Sequence, residues 1–334
     1  MHKPIVFMFS GQGSHYYQMA RELFDKQPVF RRWMERLDGI VWDILRMSVL
    51  ERLYRAENRK SDPFDKLLYT HPAIFMVEYS LAQLLMETGI VPSYVLGTSL
   101  GEFASVAVAG VLDYDSAFRA VIQQAKLLEE YCPPGGMIAV LADSKLYQQE
   151  PAFFENCELA SVNFDSHFVV SGGREELQRV VEFLRHKELS YQMLQVSRGF
   201  HSSWLDAAAP AYLSFIKGLT FHAPRIPLVS SVYGEILTEI PDDYLWQVSR
   251  RPVLFPRAVQ TLQTARNPTY LDLGPGATLV NFIKYNRALG TGVSLFPIIT
   301  PFGSDSRNLA NVSEMLACRK RESDVLHSIR RIEP

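Results

Sequence analysis

Cysteine is scarce in this chain, and the scarcity removes two architectures from consideration. Cys132, Cys157 and Cys318 are its only three, an odd number at spacings that fit no metal-ligand pattern, so neither a disulfide framework nor a zinc site is expected. An excess of charge is missing as well. Lys plus Arg number 34 and Asp plus Glu 36, for a net charge of -2. Apart from Arg319-Lys320-Arg321 the basic residues are scattered, which leaves no electrostatic footprint for a nucleic-acid partner. No apolar run reaches the length of a membrane span. The opening stretch, MHKPIVFMFSGQGSHYY, breaks its short apolar run with Gly-Gln-Gly and lacks a small-residue cleavage site, so it does not read as an export signal. Internal repeats and low-complexity segments are absent too. These absences lead to the expectation of a cytoplasmic protein with no membrane partner, no metal and no cofactor.

What is present is a globular composition. The 334 residues are 47% hydrophobic and 21% charged, enough for one large core or two smaller ones. Short apolar runs alternate with amphipathic helical stretches, the signature of a parallel sheet covered by helices. Ile5 to Phe9 reads as the first buried strand. Helices are expected over Tyr17 to Lys26, Pro28 to Leu37 and Pro72 to Glu87, and a strand over Tyr94 to Gly97 leads into the small-residue helix GEFASVAVAG. Residues 133–197 behave as an insertion. They read Met137 to Leu141 as strand, Lys145 to Gln149 as helix, and Glu158 to Asn163 and His167 to Ser171 as strands. Helix Arg174 to Lys187 and strand Ser190 to Val196 complete the β-α-β-β-α-β order of a ferredoxin-like unit. Cys132-Pro-Pro-Gly-Gly136 is the entry hinge. The first sheet resumes with Leu228 to Val232 and Tyr270 to Leu273. The domain expectation is therefore a large α/β subdomain from residues 1–132 and 198–334, with 133–197 as the small subdomain.

Chemistry concentrates at GTSLG, residues 97–101. A Gly-x-Ser-x-Gly pentapeptide between a strand and a helix is a nucleophile elbow, in which small residues flank the serine because the turn is cramped and the hydroxyl must project past backbone. The helix N-terminus aims its amides at the same spot, so the Leu100 N–H is a candidate oxyanion donor for a tetrahedral intermediate on Ser99. A serine needs a base within hydrogen-bond reach, and the chain has eight histidines. His2 is terminal, and His167, His186 and His222 fall at strand or helix edges where a solvated or satisfied imidazole is expected. His201, in VSRGFHSS, lies on a loop among small residues; taken alone it is either a base or an ordinary core or surface histidine.

Taken in order, GQGSH at 11–15, THPA at 70–73, GTSLGE at 97–102, SVN at 161–163, FHS at 200–202 and GPG at 274–276 resemble the motifs of malonyl-CoA:acyl carrier protein transacylases. The resemblance covers residues 4 to about 302. It implies an α/β-hydrolase-like core carrying a ferredoxin-like insertion, Ser99 as the acylated nucleophile, His201 as its base and the Gln12 N–H as second oxyanion donor. It also implies a Ser-His dyad whose other imidazole nitrogen is held by a backbone carbonyl, which the loop RRPVLF would assign to Leu254.

Four positions depart from that pattern. The family usually has His at Thr98, Gln at His71, Arg-Gly at Gln124-Ala125 and Asn at Ser231. The third change matters most, because that arginine grips the malonyl carboxylate with a two-pronged charge-assisted bond. On a helix the neighbours of Gln124 are Ala120, Val121, Leu127 and Leu128, while Arg119 and Lys126 project to the other side. Gln124 therefore reads as a lone polar group on a buried face, beside which a malonyl carboxylate would be desolvated and unpaired. The alternative is a core-edge glutamine with no part in catalysis. Phe200 matches the malonyl-type FHS signature, in which the ring limits an α-methyl branch, and fits a plain core residue equally well. His71 is expected as a satisfied polar residue, with contact to the thioester as the alternative. Asn163 and Gly276 read as structural, and the run 317–321 as a solvated helix face.

A dyad without a malonate clamp resembles the acyl hydrolases, and some broader acyltransferases, that stand free beside trans-acyltransferase polyketide synthases. The activity this implies is hydrolysis of stalled, non-carboxylated acyl groups from the phosphopantetheine arms of acyl carrier proteins. Transfer from acyl-CoA to a carrier, of malonyl or another unit, is the alternative. A non-catalytic docking module would not need Ser99 and His201, and a generic esterase would not need GQGS, FHS and GPG in this order.

Overall fold

The computed structural model describes residues 3–263, 267–286 and 293–330, with side chains up to 318. Two sheets organise the chain. The first holds β1 (Ile5–Phe9), β2 (Tyr94–Gly97), β7 (Leu228–Ser230), β8 (Glu235–Leu237), β10 (Thr269–Asp272) and β11 (Ser294–Pro297) in the order β11-β10-β1-β2-β7-β8. All its neighbours run parallel except the β7–β8 pair. Its central strands are apolar throughout because both faces are covered, with Val6, Phe7, Met8, Val95 and Leu96 fully buried. The second sheet takes β3 (Gly136–Val140), β4 (Glu158–Phe164), β5 (His167–Gly172), β6 (Tyr191–Met193) and β9 (Val253–Leu254) in the order β6-β3-β5-β4-β9. The antiparallel part, β6-β3-β5-β4, is the ferredoxin-like arrangement, backed by the helix Arg174–His186. The α/β core with a small subdomain is thus the fold that the sequence pattern predicts.

The differences have local causes. The helix expected from Tyr17 starts at Arg21, because Gln18 and Ala20 take left-handed φ values of 65° and 55° and turn the chain first. The next helix runs past Leu37 to Leu45, burying Ile40 and Val41. The helix expected from Pro72 begins at Leu67 and keeps the proline inside. Strand β7 stops at Ser230 rather than Val232, since the Ser231 amide is claimed by a carboxylate described below. The strand expected over Ser190 to Val196 shrinks to β6. The short β9 escapes sequence reading, yet it pairs in parallel with β4, Ser161 opposite Val253 and Val162 opposite Leu254. That pairing ties the small sheet to a segment of chain outside 133–197. Backbone of the helix Asp305–Arg330 covers the run 317–321, whose side chains from 319 lie outside the described residues. Among the described residues no helix is long and apolar enough to cross a membrane, and no cluster of His, Cys, Asp and Glu could hold a metal ion.

Candidate active site

Ser99 sits at the tip of the turn from β2 into the elbow helix, Gly101–Val108. The turn is closed by Gly101 N–H to Thr98 O at 3.0 Å and Glu102 N–H to Ser99 O at 2.9 Å. It holds Ser99 at φ 52°, a left-handed conformation that costs a residue with a Cβ about 1–3 kcal/mol. Both flanking glycines are required sterically. A Cβ at Gly97 would overlap the Glu102 backbone, and one at Gly101 the Phe9 carbonyl. A Cβ at Gly11 would lie 2.9 Å from Ser99 Cβ and 3.4 Å from Leu100 N, so the GQG loop after β1 presses on the elbow and brings Gln12 beside it. Among the described residues the Gln12 and Leu100 amides bond to no other protein group, and both remain able to donate to an oxyanion.

His201 is also left-handed, at φ 60°. Its N–H donates to Ser249 O at 2.9 Å, Nδ1 lies 2.7 Å from the Arg251 carbonyl and Nε2 2.7 Å from Ser99 Oγ. A carbonyl only accepts, so Nδ1 carries the proton and Nε2 is free to accept from the serine hydroxyl. Burial lowers the His201 pKa to about 4, opposed by the bond to Arg251. The imidazole is therefore neutral at physiological pH, the form a base needs.

The orienting carbonyl belongs to Arg251 and not to Leu254. Arg251 follows the helix Tyr244–Arg250 and precedes Pro252; it is extended, at φ -86° and ψ 154°, as a residue before proline prefers, and its carbonyl leaves the helix ladder. Leu254 is held elsewhere, its N–H donating to Ser231 O at 2.7 Å.

A cavity of about 280 Å³ opens over the dyad. Gln12, Thr98, Ser99, Phe200 and His201 line it, together with Ser161, Asn163 and His167 of the small sheet, Gln192, Val253 and Phe282. Among the described residues no lysine or arginine is in that lining. His71 and Gln124 are not in it either, so two residues expected at the pocket stand behind its wall. Gln124 has the apolar neighbours that helical spacing predicts, all buried, and Arg119 faces away, paired with Asp115 at 2.6 Å. Gln124 is not a lone polar group, however. Its Nε2 donates to Ser249 Oγ, and Ser249 is the residue whose carbonyl holds the His201 amide. His71 contradicts the satisfied-histidine expectation. It is 1% exposed, packs against the Phe200 ring at 5.6 Å between centroids, and among the described residues neither ring nitrogen has a hydrogen-bond partner. Burial, and then the nearby His15, lower its pKa to about 3, so it is uncharged. Gln12 Oε1 is likewise buried without a partner, while Nε2 of the same side chain donates to Thr70 Oγ1 at 3.0 Å.

Glu102 is the residue that the sequence reading passes over. It is fully buried in the first turn of the elbow helix. Oε1 accepts from Ser231 N–H at 2.7 Å and Ser231 Oγ at 2.9 Å, and Oε2 from the Tyr244 hydroxyl at 2.8 Å. Burial raises its pKa to about 7 against those bonds. Its signal was the charged residue closing GTSLGE, and Ser231 in the family's Asn position is its partner.

The α/β core with its small subdomain is the fold of acyltransferase domains, and it carries a serine elbow with an apposed histidine. Residues 6–315 match the acyl transferase domain family, and the chain belongs to it; the family acts on acyl thioesters. It is 44% identical over 316 residues to the polyketide biosynthesis acyltransferase homolog BaeD of Bacillus velezensis, covering 95% of this chain and 98% of that protein. It is 42% identical to the homolog PksD of Bacillus subtilis, covering 93% and 96%. Among solved structures it resembles a loading acyltransferase from the avermectin modular polyketide synthase, with a TM-score of 0.85 and 26% identity over 94% of this chain and 99% of that one. MCAT from Streptococcus pneumoniae follows the same fold, with a TM-score of 0.78 and 25% identity over 93% and 99%.

Proposed function

We propose that this protein is a serine acyl hydrolase that clears neutral acyl groups from acyl carrier proteins of a polyketide assembly line. The observation that carries the reading is the absence of Lys and Arg, among the described residues, from the lining of the Ser99 cavity. A malonyl carboxylate there would lose its hydration and find no countercharge, a loss of several kcal/mol, whereas an acetyl or longer neutral chain loses little. His71, uncharged and behind Phe200, adds no cation to that wall. Thr98 and Phe200 bound the pocket beside the dyad.

In the reaction Ser99 Oγ attacks the thioester carbonyl while His201 Nε2 takes its proton. Gln12 and Leu100 N–H groups hold the oxyanion. Collapse expels the pantetheine thiolate, which recovers the proton from His201 and leaves acyl-Ser99. A water then gives its proton to His201 and attacks the ester. A second collapse releases the carboxylic acid and returns the proton to Ser99. A second reading, resolution of acyl-Ser99 by a carrier thiol with acyl-CoA as donor, draws support from the acyltransferase names of the relatives. Intact-mass measurement decides between them. Carrier proteins loaded with acetyl, malonyl or longer groups are incubated with the enzyme and an empty holo-carrier. Hydrolysis yields free holo-protein without acyl gain on the acceptor; acyl gain would establish transfer.

A further inference from the structure

Beneath the loop that carries Gln12 lies a second buried carboxyl, Glu78, on the long helix Leu67–Glu87. Its Oε1 accepts from the Ser10 N–H at 2.6 Å and lies 3.0 Å from Ser10 Oγ. Ser10 Oγ is 2.9 Å from Ser14 Oγ, which lies 2.8 Å from the Gly11 carbonyl. Gly274 of the GPG run closes the other side, where a Cβ would fall on Ser10 Oγ. This chain of contacts fixes a proton. Glu78–Ser10, Ser10–Ser14 and Ser14–Gly11 each need one hydrogen; the two hydroxyls supply two and the carbonyl none. Only Glu78 can supply the third, so its carboxyl is protonated and donates to Ser10 Oγ. Its other oxygen, Oε2, has no partner among the described residues, and ionisation would leave charge there with nothing to bond. Burial raises the Glu78 pKa well above the ordinary range against the bonds from Ser10. The neighbouring Asp272, which holds the amides of Gly274, Leu279 and Val280, raises it further.

We infer that Glu78 is a positioning residue for the oxyanion hole: as a neutral acid it fixes Ser10 and, through Ser14, the Gly11 carbonyl, and so aims the Gln12 N–H at Ser99. The inference rests on the donor role given to Gln12 above. The Gly11–Gln12 peptide is trans, so its carbonyl and its N–H point to opposite sides of one plane. Ser14 takes the carbonyl from one side, by Oγ and by its own N–H at 3.4 Å, and the Gln12 N–H is left facing the other. Gly11 is pressed against Ser99 and the Leu100 amide, which brings the two oxyanion donors together. Glu78 touches no reacting atom. Its influence is felt when charge develops on the oxyanion, so it belongs to the chemical step and not to substrate affinity.

The test follows formation of acyl-Ser99 by rapid quench and intact mass, a step common to hydrolysis and transfer. Glu78→Met fills the space and removes the acceptor of the Ser10 N–H; the saturated acylation rate should fall about tenfold or more, with half-saturation by the thioester nearly unchanged. Glu78→Gln keeps that acceptor and loses only the proton, and should stay within about threefold of wild type. Ser14→Ala removes one small hydroxyl and should repeat the rate loss of Glu78→Met even if the latter fails to fold. A trifluoromethyl ketone that forms a tetrahedral adduct with Ser99 should lose affinity by the same factor as the rate, while an unreactive thioether analogue binds as before. Equal losses on both ligands would reveal a merely structural residue, and wild-type acylation in Ser14→Ala or in folded Glu78→Met would overturn the assignment. The infrared difference between wild type and Glu78→Gln at neutral pH should show the carbonyl stretch of a protonated carboxyl; a carboxylate band would overturn the proton count. If acyl-Ser99 forms but passes to a carrier thiol, the proposed hydrolase fails and Glu78 keeps its role. If no acyl-Ser99 forms in the wild type, the role of Glu78 falls together with that of Gln12.

Discussion

Behind Ser99, Glu102 is fully buried and accepts from the Ser231 amide and hydroxyl and from Tyr244; behind Phe200, His71 is equally buried and its ring nitrogens bond to no other group among the described residues. Both stand on helices among apolar and small residues, and both are ionisable groups for which burial opposes charge. Glu102 is a fastener. It joins the elbow helix to the end of β7, and the Ser231 carbonyl next holds Leu254, three residues past the carbonyl that orients His201. His71 fastens nothing, and a buried group without a partner is a liability that persists only if something else is gained. Within one site a satisfied network fixes geometry, and an unsatisfied side chain costs stability without fixing anything.

Removing the dyad between them sets the largest effect. Ser99→Ala should abolish turnover and the acyl-enzyme seen by mass spectrometry, and His201→Ala should lower kcat/KM by about a thousandfold or more. An acyl adduct on any residue of Ser99→Ala, or substantial activity in His201→Ala, would remove the mechanism. In the wild type the base must be neutral, so kcat/KM should hold as the pH falls from 7 toward 5 and drop only as it nears the His201 pKa of about 4. An acid limb centred near 6.5 would show the imidazole to be solvated.

Glu102→Leu is next in size. It leaves two donors of Ser231 and the Tyr244 hydroxyl buried and unpaired, at about 3–5 kcal/mol by chemical denaturation, with kcat falling as the elbow and the His201 loop lose register. Glu102→Gln keeps an acceptor for Ser231 and should lose far less. The pH dependence has a definite sign. The folded-state pKa, about 7, lies above the ordinary 4.5, so the folded chain retains a proton between those values that the unfolded chain has released. Stability from this group is complete below about pH 4.5 and is lost as the pH rises through about 7; in Glu102→Gln that decline should be absent. Equal slopes in the two proteins would mean that Glu102 stays ionised when folded.

Gln124→Arg probes the same wall from the Ser249 side. A guanidinium reaching the acyl end should raise malonyl relative to acetyl kcat/KM by about tenfold, or about 1.4 kcal/mol, though Thr98, His71 and Ser231 also differ from the family and act jointly with it. Gln124 donates to Ser249, so part of the effect should be a general loss on both substrates. An unchanged ratio in a folded variant would show that position 124 has no access to the acyl group.

How far this was legible varies with locality. The elbow is a five-residue event, so Gly97, Ser99 and Gly101 announce it through steric need alone. The small sheet follows from the spacing of six elements. His201 comes from 102 positions away and carries no local mark, so only the family resemblance picks it out among the histidines. The carbonyl that orients it has no side-chain signature at all, which is why Leu254 was expected where Arg251 acts. Strands β8 and β9, of three and two residues, are too short to show a period of two. For Gln124 the helical wheel finds the neighbours on its own helix correctly and is blind to Ser249 across the gap.

The smallest effect, and the one that tests the contrast most directly, is His71→Met. If the imidazole is as unpaired as its surroundings indicate, replacing it removes a buried polar group that gains nothing from the fold, worth about 1–3 kcal/mol. Methionine has a similar reach, adapts to the space and can rest its sulfur against the Phe200 ring, while imperfect packing takes back up to about 1.5 kcal/mol. The net should be a modest rise in Tm, opposite in sign to Glu102→Leu under the same conditions. Activity should change little, because His71 lies outside the cavity lining and meets it only through the Phe200 ring. A drop in Tm comparable to that of Glu102→Leu would mean that His71 is already paired in solution through ordered water; the two groups would then be alike, and the contrast between them would fail.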